Sequence, residues 1–515
     1  MKTFGSLISV ATLLVVVFGA PSYDVAHGNW PAKGMWGKGT AKDFRSGVTA
    51  KRVENRLVAG SQLDELIKPR YNEALYLATG KTELGVLVGK DNWLFPADRL
   101  SEPGGMKRLE CEKSVAALGK LTRWLEARGC LVVFELIPRK RTLYPEQLPD
   151  DLPEPFVPLF EDLREAMLAE GLHVPDLRPV LKPEGELMFF TNDNHWTAEG
   201  CHRAAGAIAD YVKQQLPGGE VPGKPMKVVF RTFPPEDFIG YQQRLLGFQP
   251  GSWLSGKFTN QYSRVAAVPN PESPKIRRGS REPQPVVVIG TSFSQGPFFS
   301  ASQYVGHFGL QVEDRSASGY AAGYRAVDFF SGILTGARPV PKVLIWEFPE
   351  DFPTREGRYF REPLESILAV IDGAPYTATP FETRERALQR VTILEENDEL
   401  LKASCSGPRS TITWMLTEPI PGDAGAVFKF SFNVPNKGKP LGLLAVEWGT
   451  QVVWDPDPLP ESSRTQTVLI RRSNKTHPIL IPLEMSEGES IRYIRLRPYN
   501  SPATFELERP RIWRR

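Results

Sequence analysis

The stretch that decides the fold is Val286-Val-Val-Ile-Gly-Thr-Ser-Phe-Ser294. Its four aliphatic residues predict a short buried strand, and Gly290 predicts a sharp turn where that strand ends. Ser292 is therefore expected at the carboxyl end of a strand, the edge at which open α/β sheets carry their chemistry. A strand, a glycine turn and a serine also describe a nucleophile elbow, although the second glycine of G-x-S-x-G is missing. The alternative interpretation is a serine that only caps a helix.

A second stretch, Asn192-Asp-Asn-His-Trp-Thr197, supplies the groups that a serine nucleophile needs. A hydroxyl attacks efficiently when a base takes its proton, and the base works best when a carboxylate fixes its tautomer. His195 is the one histidine of six with an aspartate, Asp193, within two residues. The pattern favours a triad of Ser292, His195 and Asp193 over the alternative of an ordinary surface loop.

Composition describes a soluble globular protein of two or three domains. The chain has 515 residues, 41% hydrophobic and 24% charged, with a net charge of +3. There is no P-loop and no GxGxxG motif, and the sequence predicts neither a cofactor nor a nucleic-acid partner. His195, Cys201 and His202 do not predict a metal site, because adjacent helical residues point about 100° apart.

The N-terminus predicts export. Lys2 precedes an apolar run of 17 residues, Phe4–Ala20, which is short for a membrane span of about 20 residues and typical of a secretory signal. Residues 1–22 are interpreted as a signal peptide cleaved after Ser22 or as a retained anchor, and residues 23–65 as a lead-in. Either case predicts a periplasmic protein.

The four cysteines are too few for a disulfide scaffold. Cys111 and Cys130 bracket a predicted helix of roughly 28 Å, far beyond disulfide reach. A bridge between Cys111 and Cys201 is left open.

Residues 66–378 predict one α/β domain, because helices feed continuous apolar strands as in a parallel sheet. Residues 216–284 lack periodicity and are interpreted as excursions that build a substrate groove. The predicted elements are a hairpin at Gly85–Pro96, a helix at 110–128, a strand at Cys130–Ile137, a helix at 156–170, a helix capped by Thr197 and reaching Gln215, a strand at 285–290, and a strand at Lys342–Phe348.

Three adjacent cations, Arg139-Lys140-Arg141, follow the predicted strand that ends at Ile137. They are expected either to face an anionic ligand or to lie in a solvated loop.

Residues 379–515 predict a β-sandwich, because short alternating segments are separated by turn residues. Residues 461–515 carry eleven Lys or Arg against six Glu, which makes this part cationic. Trp414, Trp448, Trp454 and Trp513 are interpreted either as a sugar-binding surface or as core residues.

With these residues in place, the chain resembles the alginate O-acetyltransferase family of AlgX/AlgJ type, whose catalytic domain has an SGNH-hydrolase-like fold. The resemblance spans about residues 70–375. The blocks that carry it are Val88-Gly-Lys-Asp-Asn-Trp-Leu-Phe95, Pro138-Arg-Lys-Arg-Thr-Leu-Tyr-Pro145, Asp193-Asn-His-Trp-Thr197, Gly290-Thr-Ser-Phe-Ser294 and Ile345-Trp-Glu-Phe-Pro-Glu350.

The resemblance implies the roles of the site residues and the partners. Ser292 matches the family's nucleophile, His195 its base and Asp193 its orienting acid, in an order reversed from ordinary SGNH esterases. The C-terminal part resembles the AlgX arrangement, in which a carbohydrate-binding-module-like domain follows the catalytic domain. The implied partners are an acidic exopolysaccharide, a membrane-bound O-acyltransferase as acetyl donor, and other polysaccharide secretion proteins.

The sequence thus predicts an exported enzyme that moves acetyl through acetyl-Ser292 to an alginate-like polymer, with the N–H of Ser292 as an oxyanion donor. Three alternatives stay open: an acetyl esterase with the same residues, a non-catalytic polymer-binding scaffold, and modification of a different envelope glycan.

Overall fold

The computed structural model describes residues 62–514 apart from 81, 83–84, 98–104, 151–158, 270–282, 296–301, 318–320, 356, 373–374, 398–399, 406–409, 423, 434–441, 451–462, 471–476, 487 and 499–502. The predicted signal or anchor and all but the end of the lead-in lie outside these residues. Within the described ranges, no helix is both long enough and apolar enough to cross a membrane.

The described helices are α1 (Gln62–Thr79), α2 (Gly105–Glu126), α3 (Lys140–Leu143), α4 (Leu159–Ala169), α5 (Arg178–Leu181), α6 (Ala198–Gln215), α7 (Tyr241–Leu245), α8 (Trp253–Gly256), α9 (Ser302–Phe308), α10 (Ala321–Leu334), α11 (Phe352–Arg355) and α12 (Gly357–Ile371). The strands up to residue 349 are β1 (Val86–Val88), β2 (Leu94–Pro96), β3 (Leu131–Ile137), β4 (Val228–Thr232), β5 (Glu236–Phe238), β6 (Asn260–Tyr262), β7 (Val265–Pro269), β8 (Val286–Ile289), β9 (Val312–Asp314) and β10 (Val343–Pro349). The later strands are β11 (Thr377–Pro380), β12 (Thr383–Gln389), β13 (Val391–Glu396), β14 (Leu400–Cys405), β15 (Thr411–Pro421), β16 (Ala426–Asn433), β17 (Gly442–Gly449), β18 (Ser463–Ile470), β19 (His477–Leu483), β20 (Ser490–Arg497) and β21 (Ala503–Arg514).

A four-stranded parallel sheet, ordered β3-β10-β8-β9, forms the centre of the N-terminal part. Alternate residues of each strand face opposite cores, so both faces must be apolar. Val132 and Phe134 pack with α2, α4, α10 and α12, whereas Val133 and Ile137 pack with α6 and α9. The predicted α/β fold with a parallel sheet is confirmed.

Local signals set several element ends. Gly85–Pro96 forms the predicted hairpin of β1 and β2. Thr197 caps α6, and its hydroxyl accepts a hydrogen bond from the N–H of Gly200 at 3.1 Å.

No disulfide joins the four cysteines, all of which the structure describes, so a bridge between Cys111 and Cys201 is wrong.

Residues 216–284 contain more regular structure than the sequence indicated. They form two small antiparallel sheets, β4 with β7 and β5 with β6, together with the short helices α7 and α8. All four strands are short, and β4 and β5 are mostly exposed, which explains why they leave no clear periodic pattern.

The C-terminal part consists of two antiparallel sheets, ordered β13-β14-β21-β16-β19 and β12-β15-β20-β17-β18, with β11 paired to β21. Both sheets contribute to one hydrophobic core, in which Trp414 of β15 lies near Phe428 of β16. Trp448 and Trp513 are also buried, so a sugar-binding surface made of these tryptophans is wrong; Trp454 lies outside the described residues.

Part of the predicted cationic character at the C-terminus is neutralised inside the fold. Arg495 is buried, and both Arg495 and Arg497 pair with the buried carboxylate of Glu447. Trp513 also packs into the core below α10 and α12, which joins the C-terminal sheets to the α/β part.

Candidate active site

The structure brings together the three side chains that the sequence singled out. His195 Nε2 lies 2.7 Å from Ser292 Oγ, and His195 Nδ1 lies 2.6 Å from Asp193 Oδ1. Ser292 and His195 are 97 residues apart in the chain. The side chains of Asp193, His195 and Ser292 therefore form one continuous hydrogen-bonded line from carboxylate to hydroxyl.

The turn after β8 presents Ser292. Ser292–Ser294 form a single 3-10 turn capped by Thr291, whose hydroxyl accepts a hydrogen bond from the N–H of Phe293 at 3.3 Å. A Cβ added to Gly290 would lie 2.5 Å from Glu347 Oε2, so the turn needs glycine at this point. The predicted strand and glycine turn are confirmed, with a 3-10 turn in place of a longer helix.

Glu347 of β10 supports this turn, and sequence reasoning gave it no role. Its carboxylate accepts hydrogen bonds from the N–H of Thr291 (2.8 Å), the hydroxyl of Thr291 (2.6 Å) and the hydroxyl of Ser294 (2.9 Å). Burial raises its pKa to about 7, and these hydrogen bonds oppose the rise. The available signal was a glutamate inside an otherwise apolar strand.

Asp193 is held in its charged form. Oδ1 also accepts from the N–H of His195 at 3.1 Å, and Oδ2 accepts from the N–H of Tyr241 in α7. Burial alone would raise the pKa of Asp193, but the attraction of His195 and these hydrogen bonds lower it to about 2. The carboxylate therefore accepts from His195 throughout the neutral range.

Residues 216–284, which showed no periodic pattern in the sequence, hold Asp193 in place. A Cβ on Gly240 would collide with the backbone oxygen of Asn192, so the chain before α7 lies directly on the loop. Asn192 Nδ2 donates to Phe238 O, Gln243 Oε1 and Phe258 O at 2.7–2.9 Å. The segment between α6 and β8 thus holds both Asn192 and the carboxylate of Asp193.

Lys140 also holds this loop. Its buried ammonium donates to the backbone oxygens of Phe190 (3.0 Å), Thr191 (3.0 Å) and Asp193 (2.8 Å). Burial lowers the pKa of Lys140 to about 7, which Asp193 opposes. Three carbonyl acceptors match the three donors of an ammonium, so this geometry suits the charged lysine.

The neighbouring arginines are also structural. Arg139 Nε donates to Asp351 at 2.7 Å, and Arg141 lies 3.7 Å from Glu350; all four side chains are buried. Both expectations for the three cations, an anionic ligand and a solvated loop, are therefore wrong. Carboxylates at the end of β10 and backbone oxygens of the Asp193 loop are their partners.

Trp196 joins the base loop to the serine turn. Its Nε1 donates to Phe293 O at 2.8 Å, and the ring of Phe293 lies 4.7 Å from that of His195. The His195 side chain is 16% exposed and the Asp193 side chain 6% exposed. The base is therefore more exposed than the acid, and the orienting acid of a Ser-His-Asp triad is buried in the same way.

The rim beside Asp193 is exposed and carries an aromatic ring and a cation. Ile239 is 49% exposed and Tyr241 59% exposed. Arg244, also exposed, folds back to donate from Nε and Nη2 to Ile239 O.

Among the described residues, no group of three or more His, Cys, Asp or Glu side chains is placed to hold a metal ion.

Comparison with known proteins agrees with this architecture. The chain is 25% identical over 340 residues to the protein named probable alginate O-acetylase AlgJ of Pseudomonas fluorescens, a match that covers 64% of this chain and 84% of that protein. It is 26% identical over 209 residues to the alginate biosynthesis protein AlgX of Azotobacter vinelandii, covering 39% of this chain and 41% of that protein.

Among solved structures, Pseudomonas aeruginosa AlgX is similar in fold, with a TM-score of 0.52 and 16% identity over 84% of this chain and 94% of that one. The model of the ALGX family, described as an SGNH hydrolase-like domain of the acetyltransferase AlgX, matches residues 86–350, more than half of the chain. The chain therefore belongs to the AlgX family of SGNH hydrolase-like acetyltransferase domains.

Proposed function

We propose that this protein is a periplasmic O-acetyltransferase that transfers acetyl through an acetyl-Ser292 intermediate to hydroxyls of an acidic, alginate-like exopolysaccharide. The observation that carries the proposal is the hydrogen-bonded line from Asp193 through His195 to Ser292. Family membership supports acetyl as the transferred group.

In the first half-reaction, His195 Nε2 takes the proton of Ser292 Oγ while that oxygen bonds to the acetyl carbonyl carbon. Asp193 accepts from Nδ1–H of His195, and this fixes the tautomer in which Nε2 is free to act as the base. The N–H of Ser292 donates to the developing oxyanion. The donor's leaving group departs with the proton that His195 returns, and acetyl-Ser292 remains.

In the second half-reaction, a sugar hydroxyl gives its proton to His195 Nε2 and its oxygen attacks acetyl-Ser292. The bond between Ser292 Oγ and the acetyl carbon breaks, and Ser292 regains the proton from His195. The sugar hydroxyl becomes an acetyl ester, and the enzyme returns to its starting state.

The rim formed by Ile239, Tyr241 and Arg244 supports a carbohydrate acceptor that carries acid groups. An exposed aromatic ring can cover the apolar face of a pyranose, and a guanidinium pairs well with a carboxylate. The backbone N–H of Tyr241 bonds to Asp193, which places the start of the helix that carries both side chains beside the acid. The names of the relatives, which concern alginate, favour the same acceptor class.

The acetyl donor follows from the proposed compartment. The apolar run Phe4–Ala20 supports export, either by signal cleavage after Ser22 or with a retained anchor. A membrane-bound O-acyltransferase would then deliver acetyl to Ser292, and other polysaccharide secretion proteins are further partners.

We propose that the two C-terminal sheets form a carbohydrate-binding-module-like sandwich that holds the polymer. The proposed division places the catalytic domain at residues 66–378 and the second domain at 379–515. Pairing of β11 with β21 supports a boundary near residue 378, because it ties the chain to the C-terminal sheets from Thr377 onward. Since Trp414, Trp448 and Trp513 are buried, other side chains would contact the sugar.

The test incubates the full exported protein with an activated acetyl ester and either an oligouronate or a neutral oligosaccharide of equal length. Mass spectrometry then measures acetyl gained by the sugar, and acetate release is measured in parallel. We expect acetylation of the oligouronate, its loss in Ser292→Ala, and normal acetylation in Ser366→Ala, whose hydroxyl bonds only to Pro363 O of its own helix among the contacts described.

Each alternative has its own outcome. Acetate release without acetyl gain on either sugar would identify an esterase. Polymer acetylation that survives in Ser292→Ala would identify a scaffold. Acetylation of the neutral oligosaccharide alone would point to a different glycan.

A further inference from the structure

Two glutamates lie side by side on neighbouring strands of the parallel sheet. Glu347 of β10 is 0% exposed, and Glu135 of β3 is 1% exposed. The two residues are direct partners in the register of these strands, so their side chains leave the sheet on the same face. Burial of a carboxyl group is unfavourable unless hydrogen bonds compensate for it. The hydrogen-bond partners of these two glutamates therefore indicate their role.

The hydrogen bonds of Glu347 reach both flanks of Ser292. One carboxylate oxygen accepts from the N–H of Thr291 and the hydroxyl of Ser294, and the other accepts from the hydroxyl of Thr291. Because the hydroxyl of Thr291 gives its proton to Glu347, its lone pairs face the N–H of Phe293. A carboxylate at this place thus orients donors before and after the nucleophile.

Glu135 favours the charged form of Glu347 because it stays protonated itself and so does not repel the Glu347 carboxylate. Burial, with a smaller contribution from Glu347, raises the pKa of Glu135 to about 8, and Tyr304 of α9 opposes the rise. Asp314 of β9 is the other acid that acts on Glu347. The pKa values of both glutamates are raised, and the three donors around Glu347 favour the negative charge on Glu347 over Glu135.

We propose that Glu347 is a positioning residue for acetyl transfer: its buried carboxylate holds the Thr291–Ser294 turn so that Ser292 Oγ stays on His195 Nε2. This inference rests on the proposed function of Ser292. Glu347 does not contact the reacting atoms, and it acts through Thr291 and Ser294. An amide of the same shape leaves at least one of these donors without an acceptor, because its NH₂ takes the place of an oxygen that accepts from the Thr291 hydroxyl, or from the Thr291 N–H and the Ser294 hydroxyl.

The test compares Glu347→Gln with Glu135→Gln in the full-length protein. The two changes are matched in chemistry, burial and strand register, but the structure gives Glu135 no hydrogen bond to the serine turn. Rapid-quench measurement of the acetyl-enzyme burst reports the first half-reaction, and steady-state rates give kcat and KM. A misplacement of about 1 Å can reduce a rate by ~10²-fold.

We expect Glu347→Gln to lower the burst rate and kcat by about 10²-fold with KM for the acetyl ester changed by less than about threefold. Glu135→Gln should keep both within about threefold of the wild-type values. A wild-type burst rate in Glu347→Gln would overturn the proposal, and so would equal losses in the two variants.

A second pair of variants decides the question if Glu347→Gln fails to fold. Thr291→Ser keeps the hydroxyl that links Glu347 to Phe293, whereas Thr291→Val removes it at nearly constant volume. We expect the serine variant to retain the burst and the valine variant to lose it. Equal bursts in both would refute the positioning role.

The outcome for Ser292→Ala separates this inference from the proposed function. If Ser292→Ala is inactive and Glu347→Gln is fully active, only the positioning role is wrong. If Ser292→Ala still transfers acetyl, the proposed function itself is wrong.

Discussion

Replacement of Asp193 by asparagine tests how the acid acts on the base. In the native site, Oδ1 accepts from His195 Nδ1 (2.6 Å) and His195 N (3.1 Å), while Oδ2 accepts from Tyr241 N. Asparagine provides one oxygen and one NH₂ group. If the asparagine oxygen faces His195, its NH₂ group lies against the N–H of Tyr241, and two donors meet. If the amide is turned the other way, its NH₂ group lies against the backbone N–H and Nδ1 of His195. Nδ1 must then lose its proton and become the acceptor.

The structure gives the size of the effect. The pKa of Asp193 falls from 3.8 to about 2, which at ~1.4 kcal/mol per pKa unit is a net preference for the carboxylate of roughly 2 to 3 kcal/mol. Loss of that amount from the transition state lowers the rate by about 10²-fold. A flipped tautomer places the proton on Nε2, where His195 cannot act as the base, and such a change costs about 10⁴-fold in kcat.

We therefore expect Asp193→Asn to reduce the acetyl-enzyme burst by between about 10² and 10⁴-fold. The assay is rapid-quench kinetics with an activated acetyl ester, together with thermal unfolding to establish that the variant is folded. The control is Asp176→Asn, because Asp176 also bonds locally, to Arg178, yet has no bond to His195 or Ser292. A folded Asp193→Asn protein with more than about a tenth of the wild-type burst would refute the triad.

Lys140→Met removes the donor to Phe190 O, Thr191 O and Asp193 O, so denaturant unfolding should show a loss of about 3 kcal/mol and the acetyl-enzyme burst should fall. The control Lys182→Met breaks an exposed pair with Glu146 and a contact with the Tyr144 ring, and it should cost less than about 1 kcal/mol. Equal losses in the two variants would contradict the anchoring role of Lys140. The pKa of Glu135 rises from 4.5 in the unfolded chain to about 8 in the folded protein, so the folded state retains a proton that the unfolded state releases and stability is lost as pH rises through this window. Glu135→Gln cannot ionise, so the free energy of unfolding of the wild-type protein should fall relative to that of the variant by about 1.4 kcal/mol per pH unit between pH 5 and 8, and parallel pH profiles would show that Glu135 is not the buried acid.

The elements of the α/β part were predictable because their signals are local. The aliphatic run Val286–Ile289 forms β8, and Lys342–Phe348 predicts β10 to within a residue. Thr197 caps α6 as expected, since its hydroxyl bonds only three residues away. The hydrophobic period and the helix cap both depend on residues that are close in the chain, so both can be recognised from the sequence alone.

Burial of polar groups was not predictable in the same way. Arg139, Lys140 and Arg141 read as a basic loop, yet all three are buried against Asp351, Glu350 and backbone oxygens far along the chain. Residues 216–284 read as irregular, yet Gly240 and Tyr241 lie directly on the Asp193 loop.

By itself, the sequence determined the strand and turn that carry Ser292, the Asp193-Asn-His195 loop and the alternation of helix and strand. Only the tertiary structure decided that Glu347 supports the serine turn and that Lys140 and Tyr241 hold the acid. The reason is physical: a pattern of apolar residues records which face is buried, but a hydrogen bond between a strand and a turn 56 residues apart depends on how the sheet and its loops pack.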